Sequence, residues 1–395
     1  MGPALPWSWC STDQRPPSTN PTSQMSNLIR PQDLLVTFEP DGRVLIKSAS
    51  RAAAVKAPPW AVGVLAVCSR PCTRDQVVAA MGPNAGGVYD ALADAGLLVA
   101  PEVAMDTPVM FHNYAGIEVH RRMLIDEPRM AGYWAGLKAT IRPGDVVIDA
   151  GSGTGVLATM AALCGAARVY ALEQSDFADT IPAVAEASGV GDRVTVVRGD
   201  FSKVVLPEKA RVLVTETFGA WAYAEDPIPD VARCIANNLT DDGVVVPGRV
   251  KLWAAPMPVA PPSLLHPFRR RPEGVNLTPL LADARCRGHI TPVAADAVGP
   301  ASLIADVPFP GTAPWGFSGT LTVDAPCEAV CCWYDLEMAP GVILPTGPAD
   351  PMTHWKQSVL PFALDPGVYT IELLPAPEDR RSLLVRIGTH EIRLR

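Results

Sequence analysis

Residues 146–155 read VVIDAGSGTG, an apolar run that ends in Asp149 and a glycine-rich turn, followed at once by a second apolar run, VLATMAALC. Glycine at Gly151, Gly153 and Gly155 lets a backbone turn sharply and lets a ligand approach where a Cβ would collide. A loop for a dinucleotide would read G-x-G-x-x-G, but the residue after Gly155 is Val156, and the resulting G-x-G-x-G favours S-adenosylmethionine over NAD. The next strand-like run, RVYALE, ends in Glu173, where a carboxylate can take both ribose hydroxyls of an adenosine. The chemistry read from these residues is the holding of an adenosyl cofactor. A glycine turn in an α/β domain without a ligand is the alternative.

These residues need a scaffold, and the chain supplies the pattern of one. VVIDA, RVYALE, RVTVVRGD and RVLVTET read as strands with helical stretches between them, an alternation that implies a parallel sheet in a Rossmann-like domain over 103–246. Asp200 closes the third of these strands, in reach of an adenine. From 247 to 395 the alternation gives way to prolines and β-rich runs, GRVKLWAAP, GTLTV, AVCCWYDLEM, GVYTIELLP and LLVRIG, which predict an all-β, barrel-like domain. Upstream, 28–102 reads as a small α+β unit of winged-helix type. LLVTF and RVLIK flank the turn EPDG, WAVGVLAVC is helical, Thr73 caps a second helix, and a third ends at Gly96 before the short strand LLV. Residues 1–27, rich in Pro, Ser, Thr and Asn, are expected to be disordered, and 101–108 to be a linker.

Composition removes several function classes. A chain of 395 residues suggests two or three domains, and a net charge of −8 gives no broad cationic surface for nucleic acid. The third helix of the N-terminal unit carries Asp90 and Asp94 and no Lys or Arg, which argues against DNA there. Nine cysteines without regular spacing, and no charged leader with an apolar core, predict a cytoplasmic setting. Cys327, Cys331 and Cys332 lack paired C-x-x-C knuckles, so they read as buried strand residues and no metal is expected. No apolar run reaches the length of a membrane span.

Three further segments carry a family resemblance. Tyr114, His120, Met123, Leu124, Asp126 and Arg129 follow a Y-x-x-x-x-x-H-x-x-M-L-x-D-x-x-R pattern within a stretch of helical look, 111–134. TETFGAWAYAED places Glu216 and Glu225 nine positions apart, and PMTHWKQSVLP contains Thr353, His354 and Trp355. Together with the glycine turn, 109–395 resembles the protein arginine methyltransferases. The resemblance implies that Arg129 holds the methionyl carboxylate of S-adenosylmethionine, that His354 pairs with Asp126, and that Tyr114, Met123 and Trp355 line the acceptor site. Glu216 and Glu225 would be the paired acids. Guanidinium is always protonated and a poor nucleophile, and two carboxylates can grip it by charge-assisted hydrogen bonds and aim one nitrogen at a sulfonium methyl. Two departures stand out: the usual S-E-W-M-G is T-E-T-F-G, and Ser202 occupies the place of a Glu that serves the adenine. The N-terminal unit resembles the PqqD-like recognition elements of ribosomal peptide natural-product pathways.

The expected activity is N-methylation of a cationic nitrogen on a protein or on a leader-bearing precursor peptide, arginine first. A modified peptide terminus, as in daptide-type biosynthesis, is the close rival. A catalytically silent peptide-binding scaffold and a small-molecule methyltransferase are readings of other classes. Family members dimerise through a helical arm, and here PPSLLHPFRRRPEGVN is short and proline-rich; a homodimer is still expected.

Overall fold

The computed structural model describes residues 27–31, 34–48, 53–101, 117–285, 287–311, 315–376 and 382–394. Residues 1–26, most of the expected linker, and Tyr114 lie outside the described residues. The chain divides into two compact units, one up to 108 and one that carries the remainder.

In the first unit, β1 (Leu34–Phe38) and β2 (Val44–Ser48) form the expected antiparallel hairpin, and β3 (Ala54–Ala57), a strand not foreseen, pairs with β2 to complete a sheet. Three helices follow, α1 (Ala61–Val67), α2 (Arg74–Met81) and α3 (Asn84–Asp94). Thr73 closes a capping box with Gln76, which satisfies two backbone donors at the start of α2. The expected strand LLV is reduced to a single bridge between Ile29 and Val99. Val44, Ile46, Val64, Val77, Leu92 and Leu97 build a core belonging to this unit alone.

The second unit begins with α4 (Ile117–Leu124) and α5 (Glu127–Thr140). The sequence suggests one helix here, and the structure breaks it at Asp126. Pro128 has no N–H to give to the Leu124 carbonyl, which interrupts a continuous helix, and the Asp126 side chain accepts from the Arg129 amide as an N-cap.

A five-stranded parallel sheet follows: β4 (Val146–Ala150), β5 (Arg168–Glu173), β6 (Val194–Arg198), β7 (Ala210–Thr215) and β8 (Leu239–Val246), in the order β6-β5-β4-β7-β8. β4 is central and reverses the direction of winding, so its carboxyl end, with the glycine turn, is the natural ligand crevice of such a sheet. α6 (Val156–Leu163), α7 (Ile181–Ala187) and α8 (Pro227–Asn238) connect the strands.

The β-rich half folds as two antiparallel sheets in a barrel-like arrangement. One contains β9 (Arg249–Met257), β10 (His289–Thr291), β11 (Ser302–Pro308), β13 (Ala329–Ala339), β14 (Val342–Pro345) and β15 (Gln357–Leu360). The other contains β12 (Phe317–Val323), β16 (Gly367–Pro375), β17 (Leu383–Ile387) and β18 (His390–Leu394). One continuous core joins the parallel sheet to these strands, running from Ile148 and Leu213 to Leu336 and Leu373. α5 presses on β13 closely enough that a Cβ at Gly136 would stand 2.5 Å from Met338 Cβ. That approach brings the start of α5 to the barrel. Leu264 and Leu265 of α9 (Pro262–Arg269) are buried in a cluster with Ala329, Cys331 and Val359 of the barrel.

Cys331 and Cys332 lie buried on β13 and Cys327 just before it, and burial pushes all three thiols up. No group of three or more His, Cys, Asp or Glu able to hold a metal occurs among the described residues. No helix among them is long and apolar enough to cross a membrane.

Candidate active site

The glycine turn leaves β4 with Gly151, Gly153 and Gly155 all in the left-handed region, at φ 80°, 53° and 78°. At Gly153 the need for glycine is double, since a Cβ there would also stand 2.6 Å from His120 Cε1. His120 is itself buried, its ring edge-on to Phe177 at 4.2 Å. Glu173, at the end of β5, accepts from the amides of Gly153 and Ser175, both at 2.7 Å, and so ties the two strand ends together. Asp149 is fully buried and accepts from the Ala158 amide at 2.8 Å. Burial pushes its carboxyl up to about 7, outweighing the hydrogen bond from the Ala158 amide that pulls it down, and the Ser152 hydroxyl donates to the Asp149 backbone carbonyl. Asp200 accepts from the amide and hydroxyl of Ser202, at 3.0 and 2.7 Å.

Arg129 lies in the first turn of α5 and points under the tip of β7. Its Nη2 donates to Glu216 Oε2 at 2.8 Å, with the two side chains only 4% and 9% exposed. Its Nη1 donates to the Met123 carbonyl at 3.0 Å, and its Nε has no partner among the described residues. Burial works against the guanidinium charge, but Glu216 more than restores it, and the pKa rises above the ordinary arginine value. Asp126, one turn before, accepts from the His354 amide at 2.7 Å and from His354 Nδ1 at 2.8 Å. Its own burial would raise its pKa, yet the hydrogen bonds from His354 and the Arg129 amide hold it below the ordinary carboxylate value. The two ends of the sequence resemblance, Asp126 and His354, thus meet directly.

The loop from Glu216 to Asp226 adopts a backbone few residues tolerate. Trp221, Ala222, Glu225 and Asp226 all have positive φ, at 43°, 64°, 87° and 48°. Non-glycine residues held in this region cost on the order of 1–3 kcal/mol each and persist only where their surroundings over-determine them. Three indole N–H groups supply that constraint by joining the loop to the barrel. Trp355 donates to the Phe218 carbonyl at 3.0 Å, Trp221 to the Trp333 carbonyl at 3.0 Å, and Trp315 to Asp226 Oδ1 at 2.6 Å. Tyr133 adds a fourth tie from α5, its hydroxyl donating to the Thr215 carbonyl at 2.9 Å. Glu225 is half-buried at the far end of this loop.

Of the residues predicted from sequence, Arg129, Asp126, His354 and Glu216 form one chain of contacts. Gly151, Gly153, Gly155, Asp149 and Glu173 gather at the ends of β4 and β5. Met123 contributes its carbonyl to Arg129, and Trp355 is buried beside His354 and Tyr334. Sequence reasoning missed Tyr133, Trp221 and Trp315. For Trp221 the available signal is the aromatic spacing W-A-Y between the two acids, which reads equally well as core.

Residues 306–368 match the family described as the arginine methyltransferase oligomerization subdomain. Among curated proteins, the chain is 33% identical to protein arginine N-methyltransferase PRMT10 of Oryza sativa subsp. japonica over 177 residues, which is 44% of this chain and 47% of that protein. It is 28% identical to the probable histone-arginine methyltransferase CARM1 of Oryza sativa subsp. indica over 299 residues, 66% of this chain and 55% of that protein. The chain therefore spans about half the length of these curated relatives. Among solved structures, the Trypanosoma brucei PRMT1 enzyme-prozyme complex with AdoHcy superimposes with a TM-score of 0.65 at 21% identity, covering 72% of this chain and 100% of that one. Arabidopsis thaliana protein arginine methyltransferase 10 gives a TM-score of 0.60 at 20% identity, covering 71% of this chain and 98% of that one. The fold of the second unit is thus that of the arginine methyltransferases, a Rossmann-like parallel sheet followed by an antiparallel barrel.

Proposed function

We propose that this protein is an S-adenosylmethionine-dependent N-methyltransferase that acts on the arginine guanidinium of a protein or ribosomally made peptide. The observation that carries the reading is convergence. Asp126, Arg129, Glu216 and His354, drawn from three distant segments, form one bonded set at the tip of β7, beside the left-handed glycine turn of β4.

The residues fit the cofactor. Glu173 suits the ribose hydroxyls, the glycine turn allows close approach, and the buried, unpartnered Nε of Arg129 is a donor suited to a carboxylate. Bound there, S-adenosylmethionine supplies an electrophilic methyl group on sulfur. The chain's own part is to hold and aim the acceptor. Glu216 and Glu225 grip the guanidinium, orient one nitrogen and favour positive charge on the others. With Nδ1 of His354 held by Asp126, Nε2 is the ring nitrogen left to accept the proton lost from the methylated nitrogen. Incubation with S-adenosylmethionine and an arginine-containing peptide should give S-adenosylhomocysteine and a peptide heavier by one or more methyl groups, located at arginine by fragmentation. Methylation confined to an amine terminus would favour the daptide-type rival, and no turnover on any cationic acceptor would favour a silent scaffold.

The N-terminal unit is read as a winged-helix, PqqD-like holder of a precursor's leader segment. Support comes from β1, an edge strand of its sheet whose Leu35, Val36 and Phe38 are 37%, 36% and 71% exposed. Such an edge can accept an extended peptide as an added strand. Deleting residues 1–102, a unit with its own core, should raise KM for a long peptide and leave kcat and the use of a short peptide nearly unchanged. Equal losses on both peptides would remove the recognition role. Self-association is also part of the reading, supported by the match of 306–368 to an oligomerization subdomain; sedimentation analysis tests it.

A further inference from the structure

The sequence assigns Arg129 and Glu216 to different ligands, the methyl donor's carboxylate and the acceptor's guanidinium, yet the structure joins them in one buried ion pair. Their contact is 2.8 Å, and neither side chain is more than one-tenth exposed. Arg129 also keeps one buried donor, Nε, without a partner among the described residues. We infer that this pair couples the two substrates: the carboxylate of the methyl donor draws Arg129 away from Glu216, and the charge so released on Glu216 binds the acceptor cation. The inference rests on the proposed methyl-transfer reading and adds an order and a sign to it.

The physical argument is competition for one charge in a place where water screens little. A cation that approaches Glu216 while Arg129 matches it meets a neutral pair, and the second positive charge is repelled by the first. A carboxylate arriving at Nε shares the guanidinium and weakens its hold on Glu216. Glu216 then regains negative potential toward the acceptor. By linkage the effect is mutual, so an acceptor held by Glu216 tightens the donor by the same factor. Arg129 is thereby a positioning residue for the acceptor site as well as a ligand of the donor. Glu225, which does not share this contact in the structure, provides the second carboxylate throughout.

Calorimetry on the full chain tests the coupling with two donor-site probes, S-adenosylhomocysteine and its decarboxylated analogue, and a Gly-Gly-Arg-Gly-Gly peptide as the acceptor. The peptide should bind at least about five-fold more tightly with S-adenosylhomocysteine than alone, and the analogue should give no such gain. A second measurement needs no acceptor. Glu216→Gln removes the competitor for Arg129 and should tighten S-adenosylhomocysteine several-fold, a gain that a merely structural contact would not produce, while the analogue's affinity stays unchanged. Equal peptide affinities with both probes, or weaker S-adenosylhomocysteine binding in Glu216→Gln, would overturn the coupling and leave the methyl-transfer reading standing. Failure of S-adenosylhomocysteine to bind the wild-type chain would overturn both.

Discussion

The glycine turn and the acid loop solve the same problem in opposite ways. Each must carry the chain through left-handed backbone at the end of a strand of the parallel sheet. At 151–155 the turn uses glycine at every left-handed position, so the conformation is cheap and is written in the local sequence. At 221–226 the loop uses Trp, Ala, Glu and Asp, so the conformation is strained and must be imposed from outside. The barrel imposes it through Trp355, Trp315 and the Trp333 carbonyl. A left-handed turn built on glycines thus needs no outside support, whereas holding two carboxylates on strained backbone requires contacts from the barrel.

Four changes would break or sharpen this contrast. The largest effect is expected from Gly153→Val, which puts a branched side chain at φ 53° and against His120 Cε1. Calorimetry should show no measurable affinity for S-adenosylhomocysteine, and unchanged affinity would take the turn out of the cofactor site. Next, Glu225→Gln keeps the shape of the acid loop and removes one charge. Turnover should fall by about 10²–10³, the usual worth of one oriented electrostatic contact at a transition state, with S-adenosylhomocysteine affinity intact. Near-wild-type rates on an arginine peptide would remove the paired-acid mechanism.

Trp315→Phe tests whether the barrel positions the acids. It retains an aromatic ring against Tyr223 and Phe317 and deletes the N–H held by Asp226. A hydrogen bond to a charged group is worth about 1.5–3 kcal/mol, so kcat should drop by about ten-fold or more, with cofactor binding unaffected. A change in thermal stability alone would reduce Trp315 to a packing residue. The fourth change is read in stability rather than in turnover and concerns Asp149, whose carboxyl is raised by burial from 3.8 to about 7. The folded protein holds that proton more tightly than the unfolded chain, so stability present below about pH 4 is lost as pH rises through about 7. Thermal melts of Asp149→Asn should show a flatter decline over that window. An identical decline would assign the pH dependence to another group.

Local patterns were legible where local physics decides. The four strands read from VVIDA, RVYALE, RVTVVRGD and RVLVTET appear as β4, β5, β6 and β7: the inner strands β4, β5 and β7 are largely buried and so demand continuous apolar runs, and the edge strand β6, nowhere buried, is still legible from its valines. The sequence does not show β10, β14 and β15, since strands of three or four residues give too short an alternation, nor the longer β8, β11 and β18, whose apolar runs are interrupted by Asp241 and Asp242, by Asp306, and by Glu391 and Arg393. The break at Asp126 was also missed, although Asp126 and Pro128 are both visible in the sequence; apolar periodicity on either side of them masked the cap. In the first unit, β3 escaped notice because AVKA carries little β-propensity of its own and forms against β2.

What the sequence determined by itself, then, is the chemistry available: a glycine turn of G-x-G-x-G spacing, an acid at the end of the next strand, two carboxylates nine positions apart, and a His-Trp pair far downstream. Residue type and short-range spacing are enough for these, because backbone freedom and charge are properties of single residues and their neighbours. Only the tertiary structure decided which of them meet. Asp126 and His354 lie 228 positions apart, and Arg129 and Glu216 87 apart, yet each pair is in hydrogen-bond contact. Such contacts depend on the packing of α5 against β13 and on the docking of the acid loop to the barrel, long-range burial that no local pattern encodes.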